Sequence, residues 1–185
     1  LSFEDHKILY NKCVEHNIQY LCSAFDMESI KFLNNNFVLP YFKIASGEIL
    51  TVDINNYISK QTKPILLSTG FASFKEIQLS LELLNQNFKK DITILHCISR
   101  YPAPLESVNL RVMLELKNKF NYPVGFSDHT IGNDAAIAAV ALGASVIEKH
   151  VTFDKNQEGL DHKASITISE FTNLVKCIRN VEIAL

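Results

Sequence analysis

Gly125-Phe126-Ser127-Asp128-His129-Thr130 and Ile147-Glu148-Lys149-His150-Val151-Thr152 decide how this chain is read. Each is an apolar, branched or aromatic run that closes on polar residues and a histidine. That is the pattern of a buried parallel strand carrying chemistry at its carboxyl end. The histidines stand 21 positions apart (150 minus 129), room for one loop, one helix and the next strand. Adjacent strands would therefore bring both imidazoles to one edge. Two convergent imidazoles point to a divalent metal, while a hydrogen-bonded structural histidine is the competing reading of either one taken singly. Strand alternation puts Ser127 with His129 on one face and Glu148 with His150 likewise, giving His150 a carboxylate neighbour below it.

Working outward, six runs read as strands, over 18–25, 41–46, 64–69, 92–99, 123–128 and 145–152. Helical patterns alternate with them. Ser73 and Glu76 form a capping box, followed by a stripe of Phe74, Ile77, Leu81, Leu84 and Phe88. Asn133 and Asp134 can cap an alanine-rich helix that runs to Leu142 and stops at Gly143. A last helix opens at Ser169 and repeats Phe171, Leu174, Val175, Ile178 and Val181. Strict βα alternation predicts an α/β fold with a parallel sheet, either a (β/α)8 TIM-barrel type or a doubly wound sheet. Six strands fall short of eight, and the helix-like stretch 3–16 has no strand before it. The chain thus reads as one domain over 1–185, either a fragment of a barrel or an open barrel.

Composition narrows the class. A chain of 185 residues with 47% hydrophobic content can build a sizeable core. Eighteen basic against twenty acidic residues leave a net charge of −2, so no long-range field recruits nucleic acid or an anionic membrane. No apolar run reaches the ~20 residues of a membrane span, and no signal-peptide pattern opens the chain. Cys13, Cys22, Cys97 and Cys177 lack C-x-x-C spacing and sit in apolar runs, the pattern of reduced, mostly buried thiols in a cytoplasmic protein.

The strand ends share a chemistry. They offer Ser23 and Phe25, Ser46-Gly47-Glu48, Ser68-Thr69-Gly70, Ser99-Arg100-Tyr101, Ser127-Asp128-His129 and Lys149-His150. Hydroxyls, backbone amides at glycines and lysines on one rim suit a phosphate, although hydroxyls also end strands simply as helix caps. Lys43 and Lys149 stand in otherwise apolar strands, where a lysine must meet an anion or lose its proton. A neutral lysine would be a Schiff-base nucleophile. His96 and Cys97 read as core residues.

Lys43-Ile44-Ala45-Ser46-Gly47-Glu48, Leu67-Ser68-Thr69-Gly70, Leu95-His96-Cys97 with Tyr101-Pro102-Ala103-Pro104, the two histidine stretches and Glu158-Gly159-Leu160-Asp161-His162-Lys163-Ala164-Ser165 occur in that order. Together they resemble the bacterial sialic acid synthase family, N-acetylneuraminate synthases with their legionaminic acid and spore-coat polysaccharide relatives. The resemblance implies a (β/α)8 barrel that condenses phosphoenolpyruvate with an open-chain N-acetylated amino sugar, typically N-acetylmannosamine, to a nine-carbon 2-keto acid, releasing phosphate. It implies a divalent metal on His129 and His150, commonly Mn2+, with Mg2+ or Co2+ as the other candidates. It places phosphoenolpyruvate contacts on Lys43, Ser46, Ser68, Ser127 and Ser23, and sugar contacts on Phe25, Glu48, Tyr101 and Asp161. Glu48 would handle protons or position water, and family members form homodimers. The segment from Asp161 to Ser165 resembles the sialic and legionaminic branches more than the pseudaminic one. The family's first two strands and its C-terminal antifreeze-like domain are missing from the pattern, and Ser23-Ala24 replaces a more usual Thr-Pro. A Schiff-base aldolase, and a non-catalytic barrel fragment binding metal or sugar phosphate, are the alternative readings.

Overall fold

In the computed structural model, which describes residues 1–185, the chain divides into two compact units, Leu1–Leu67 with Ala72–Ile92 and Ser68–Phe71 with Thr93–Leu185. The main sheet runs in chain order through β1 (Phe42–Ile44), β2 (Ile65–Ser68), β3 (Ile92–Cys97), β4 (Val124–Asp128) and β5 (Ile147–Lys149). Pairing is parallel between β1 and β2, β3 and β4, and β4 and β5. Sequential parallel neighbours follow from short βα connections, since each crossover helix packs back on the strand it left.

In the first unit, α1 (Phe3–Glu15) starts at Ser2, whose side chain and that of Asp5 cap each other's backbone. None of its residues is buried, and aromatic rings attach it. Phe3 stacks on Phe32 of α2 (Met27–Asn36) with centroids 4.0 Å apart, and Tyr10 lies 4.8 Å from Phe37. Ring pairs of this kind are worth about 0.5–1.5 kcal/mol beyond the area they bury. α3 (Val52–Ser59) buries Ile54 and Ile58, and α4 (Phe74–Asn85) buries Ile77, Leu81 and Leu84. The start of α4 is the expected capping box, with Glu76 N donating to Ser73 Oγ at 3.3 Å and Ser73 N to Glu76 Oε2 at 2.7 Å. Phe74 and Phe88, the ends of the expected stripe, are only partly covered, and Phe88 lies past the helix.

The second unit is built on β3 and β4, which are buried almost from end to end, so their sequences read as continuous apolar runs. A short helix α5 (Leu105–Val108) leads into α6 (Arg111–Phe120), which buries Met113 and Leu116. α7 (Asp134–Ala141) turns Ala135, Ala136 and Ala139 inward, and these small side chains let a neighbouring helix approach closely. Gly143, at φ 93°, ends that helix as expected. β6 (Val151–Thr152) and β7 (Ile166–Thr167) form a separate parallel pair. α8 (Ile168–Ala184) then packs Leu174 against Ala136 and Ile166.

Several expectations change. Segment 18–25 joins no sheet: Tyr20 and Ala24 are buried, so its apolar content reports anchorage to a core, but a strand exists only where a partner supplies the ladder. The run 145–152 breaks at His150 into β5 and β6, which belong to different sheets. β7, two residues long, is too short to leave a periodic signal. α8 begins at a capping box between Thr167 and Glu170 rather than at Ser169, and of its expected stripe Leu174 alone is buried. Of the four thiols Cys97 is buried, whereas Cys13, Cys22 and Cys177 are partly accessible.

Two consequences are measurable. A Cβ on Gly125 would fall 2.6 Å from Leu95 Cδ2 and 2.6 Å from the Val146 carbonyl oxygen. That carbonyl already accepts from Phe126 N at 2.9 Å, so the backbone cannot yield without loosening the ladder. Gly125→Ala should lower stability by about 1–3 kcal/mol, seen as a reduced denaturant midpoint at constant slope; an unchanged midpoint would contradict this packing. His96 is buried, with Nε2–H donating to Val108 O at 2.7 Å. Burial holds its pKa below the ordinary 6.5, the Val108 bond opposing only in part. The unfolded chain therefore takes up the proton first, so this contribution is complete above pH 6.5 and erodes as pH falls through the folded value. Unfolding midpoints across that window should fall less steeply for His96→Gln than for wild type.

Candidate active site

The β-ladder register arranges the second unit's site in layers. Cys97, Ser127 and Glu148 are cross-strand neighbours on β3, β4 and β5. Alternation sends His129 to the face of Ser127, and Ser127 Oγ indeed lies 3.3 Å from His129 Nε2. The next layer is aromatic. The rings of His129 and His150 are 5.5 Å apart, and Tyr101 stacks on His129 at 4.0 Å while meeting His150 edge-on at 5.5 Å. Tyr101 is held there because its loop is pinned to the end of β4, where Ala103 N donates to His129 O at 2.8 Å and Ala103 bridges Thr130.

His129 has one tautomer available when neutral. Its Nδ1 faces the Ile98 carbonyl at 2.7 Å, which can only accept, so Nδ1 carries the hydrogen and Nε2 keeps its lone pair. Ser127 spends its single hydroxyl hydrogen on Glu148 Oε1 at 2.6 Å. Two lone pairs therefore meet across 3.3 Å at Nε2, an arrangement that a proton or a cation satisfies. Burial lowers the pKa of His129, and the nearby His150 adds to this, against the opposing pull of the Ile98 carbonyl, Glu148 and Asp128. The neutral imidazole so favoured, with the other ring nitrogen donating to a carbonyl, is the form that binds metals. The donor set thus fits a divalent cation, although no cluster of three His, Cys, Asp or Glu side chains assembles in the chain.

His150 sits at the break between β5 and β6, its carbonyl fixed by Ile166 N at 2.9 Å. Asp161 Oδ2 lies 3.9 Å from His150 Nδ1, beyond hydrogen-bond range. The loop that delivers Asp161 is anchored next door, where Thr152 Oγ1 meets His162 Nδ1 at 2.8 Å. Gly159, at φ 142°, leaves room there for the His162 ring, which a Cβ would approach to 2.9 Å. Glu148, read from sequence as a neighbour of His150, accepts from Ser127 Oγ. Burial, with Cys97, Asp161 and Glu148 nearby, raises the pKa of the Tyr101 phenol.

Lys149 corrects the sequence reading. It points to the opposite face from Glu148 and His150, and its Nζ donates to Asp128 Oδ2 at 2.7 Å and to Thr130 O at 2.7 Å. The anion it needs is internal, so it serves neither as a Schiff-base nucleophile nor as a ligand contact. Sequence reasoning missed this partner, though Asp128 and Lys149 each stand one residue before a histidine.

The first unit holds the other candidates except Ser68. Lys43 lies in β1 between buried Phe42 and Ile44, with Nζ 3.5 Å from the Ile44 carbonyl. Ser46 and Glu48 lie on a single 3-10 turn after that strand. Thr51, not singled out from sequence, donates to Glu48 Oε2 at 2.6 Å and orients it. Ser23 and Phe25 line a cavity of about 100 Å³ with Phe3, His6, Cys22 and Phe32. Ser68 ends β2 and is buried in the second unit.

Parallel strands whose carboxyl ends carry paired imidazoles, an aromatic ring and a hydroxyl–carboxylate couple define an α/β protein with its polar site at the strand ends. The chain belongs to the NeuB family, whose model matches residues 1–185. It is 46% identical over 187 aligned residues to the N,N'-diacetyllegionaminic acid synthase of Campylobacter jejuni, covering 100% of this chain and 56% of that protein. The crystal structure of the N-acetylneuraminic acid synthetase from Leptospira borgpetersenii, in complex with citrate, superposes with a TM-score of 0.92 at 29% identity, over 98% of this chain and 63% of that one. A truncated 3-deoxy-D-arabino-heptulosonate 7-phosphate synthase from Thermotoga maritima shares the fold at a TM-score of 0.84 and 17% identity, over 100% of this chain and 73% of that one. Both neighbours are α/β barrels. The chain spans about half the length of the curated relatives it matches, and no helix is long and apolar enough to cross a membrane.

Tyr101 covers His129, so Tyr101→Ala should admit water to the imidazole and move its pKa up toward 6.5. Side-chain NMR titration of the metal-free protein reads this directly; an unmoved His129 would show that other groups bury it.

Proposed function

We propose that this chain carries the catalytic strand ends of a sugar-acid synthase that condenses phosphoenolpyruvate with N-acetylmannosamine or a related N-acetylated sugar, giving a nine-carbon 2-keto acid and phosphate. Family membership supports the reaction class. The observation that carries the site is the His129–His150 pair, with the His129 tautomer set by Ile98 and an unprotonated Nε2 beside Ser127. These two histidines would hold a divalent metal, Mn2+ foremost, with Mg2+ or Co2+ as alternatives, which when bound supplies Lewis acidity for the sugar aldehyde.

The chain's own residues do the rest. Lys43, Ser46, Ser68, Ser127 and Ser23 offer charge and donors for the phosphate and carboxylate of phosphoenolpyruvate. Ser127 would exchange its Glu148 acceptor for a substrate oxygen. Glu48, oriented by Thr51, would receive or deliver protons as water adds and phosphate leaves. Tyr101, Asp161 and Phe25 would position the sugar, and the 46% identity to a legionaminic acid synthase favours a diacetamido sugar among the candidates. A homodimer in the cytoplasm completes the reading.

A Schiff-base aldolase, already deprived of Lys149, would have to use Lys43. In the natural full-length protein, phosphate release from phosphoenolpyruvate should require both the sugar and Mn2+ and stop with chelator. His129→Ala and His150→Ala should each lower the rate by about a hundredfold or more while the protein stays folded, with the melting temperature falling more for the buried His129 than for the partly exposed His150. Pyruvate trapped on Lys43 by borohydride, without phosphate release, would overturn the proposal.

A further inference from the structure

We infer that the buried Asp128–Lys149 pair is a positioning device for the two histidines, fastening β4 to β5 at the point where the ladder gives out. The inference rests on the assignment of both histidines to the site. The last rung between these strands pairs Asp128 with Lys149, and β4 and β5 both stop there. His129 and His150 are each one residue beyond it, where strand ends would otherwise separate.

The ion pair supplies cross-strand bonds at that spot. Lys149 Nζ reaches Asp128 Oδ2 and the Thr130 carbonyl, both at 2.7 Å, while Asp128 Oδ1 accepts from Thr130 N at 2.8 Å. The residue enclosed between Asp128 and Thr130 is His129, and the lysine's own neighbour is His150. One ammonium and one carboxylate thus tie the backbone on both sides of the first histidine to the residue preceding the second.

Stability alone gives little reason to bury these charges, with side chains only 2% and 0% exposed. Apolar residues of similar volume commonly do as well or better. What a directed pair adds is alignment, because a slip of β5 by one residue would send the lysine to the site face, leave the aspartate behind, and strip each of its partner. Face also separates the pair from chemistry: alternation puts Ser127, His129, Glu148 and His150 on the other side of the sheet. The pair therefore acts through the histidines and touches no substrate.

The test uses the natural full-length protein with Lys149→Met, Asp128→Asn and the double variant. Each is followed by thermal unfolding, by imidazole nitrogen NMR without metal, and by Mn2+ titration. Lys149→Met strands a buried carboxylate and should melt early; the double variant leaves no lone charge and should regain much of that loss. If the pair positions the site, the double variant's His129 and His150 signals will still depart from wild type, and its Mn2+ affinity will stay about tenfold or more below wild type. Wild-type imidazole signals in the folded double variant would overturn the inference and leave an ordinary core ion pair. A wild-type protein that takes up no Mn2+ would overturn the metal assignment instead, with the ring spectra still deciding the pair's role.

Discussion

The parallel register of β4 against β5 is the constraint on which this site depends. It sets Ser127 beside Glu148 and Asp128 beside Lys149, and with the alternation of a strand it sorts those four residues onto two faces. Displacement of β5 by a single residue would turn Lys149 to the site face and Glu148 away from it, while Ser127 and Asp128 stayed where they are. Gly125 keeps the strands close enough for the register to hold, since its missing Cβ would collide with the Val146 carbonyl.

From that register follow two different electrostatic settings a few ångströms apart. On one face a carboxylate and an ammonium neutralise each other out of water. On the other, Ser127 gives its hydrogen to Glu148 and His129 gives its hydrogen to Ile98, so an electron-rich position is left at Nε2. Burial raises the cost of charging the imidazole and so preserves that lone pair. His150, about a third exposed, marks the accessible side of the pair.

Loops complete what the strands begin. Tyr101 stacks on His129 because Ala103 is bonded to the His129 carbonyl, and Asp161 approaches His150 because His162 is tied to Thr152. In each case a side chain is brought to the site by a hydrogen bond to the β-structure two or fewer residues from where it acts. This lets long connecting segments contribute chemistry without wide freedom of movement.

What the sequence by itself determined was local. Apolar runs marked β1 to β5, capping pairs such as Ser73–Glu76 marked helix starts, and the 21-residue spacing of His129 and His150 brought both to one strand edge. The motif order also pointed to the family. Period and spacing are properties of a short stretch of chain, and they survive folding. Tertiary structure decided everything that needs a partner from elsewhere. It denied segment 18–25 a ladder, split 145–152 at His150, turned Glu148 to Ser127, and gave Lys149 a buried carboxylate in place of a ligand. A hydrogen bond or an ion pair belongs to two residues at once, and for Ser127 with Glu148 and Asp128 with Lys149 the second residue lay a whole βα unit away.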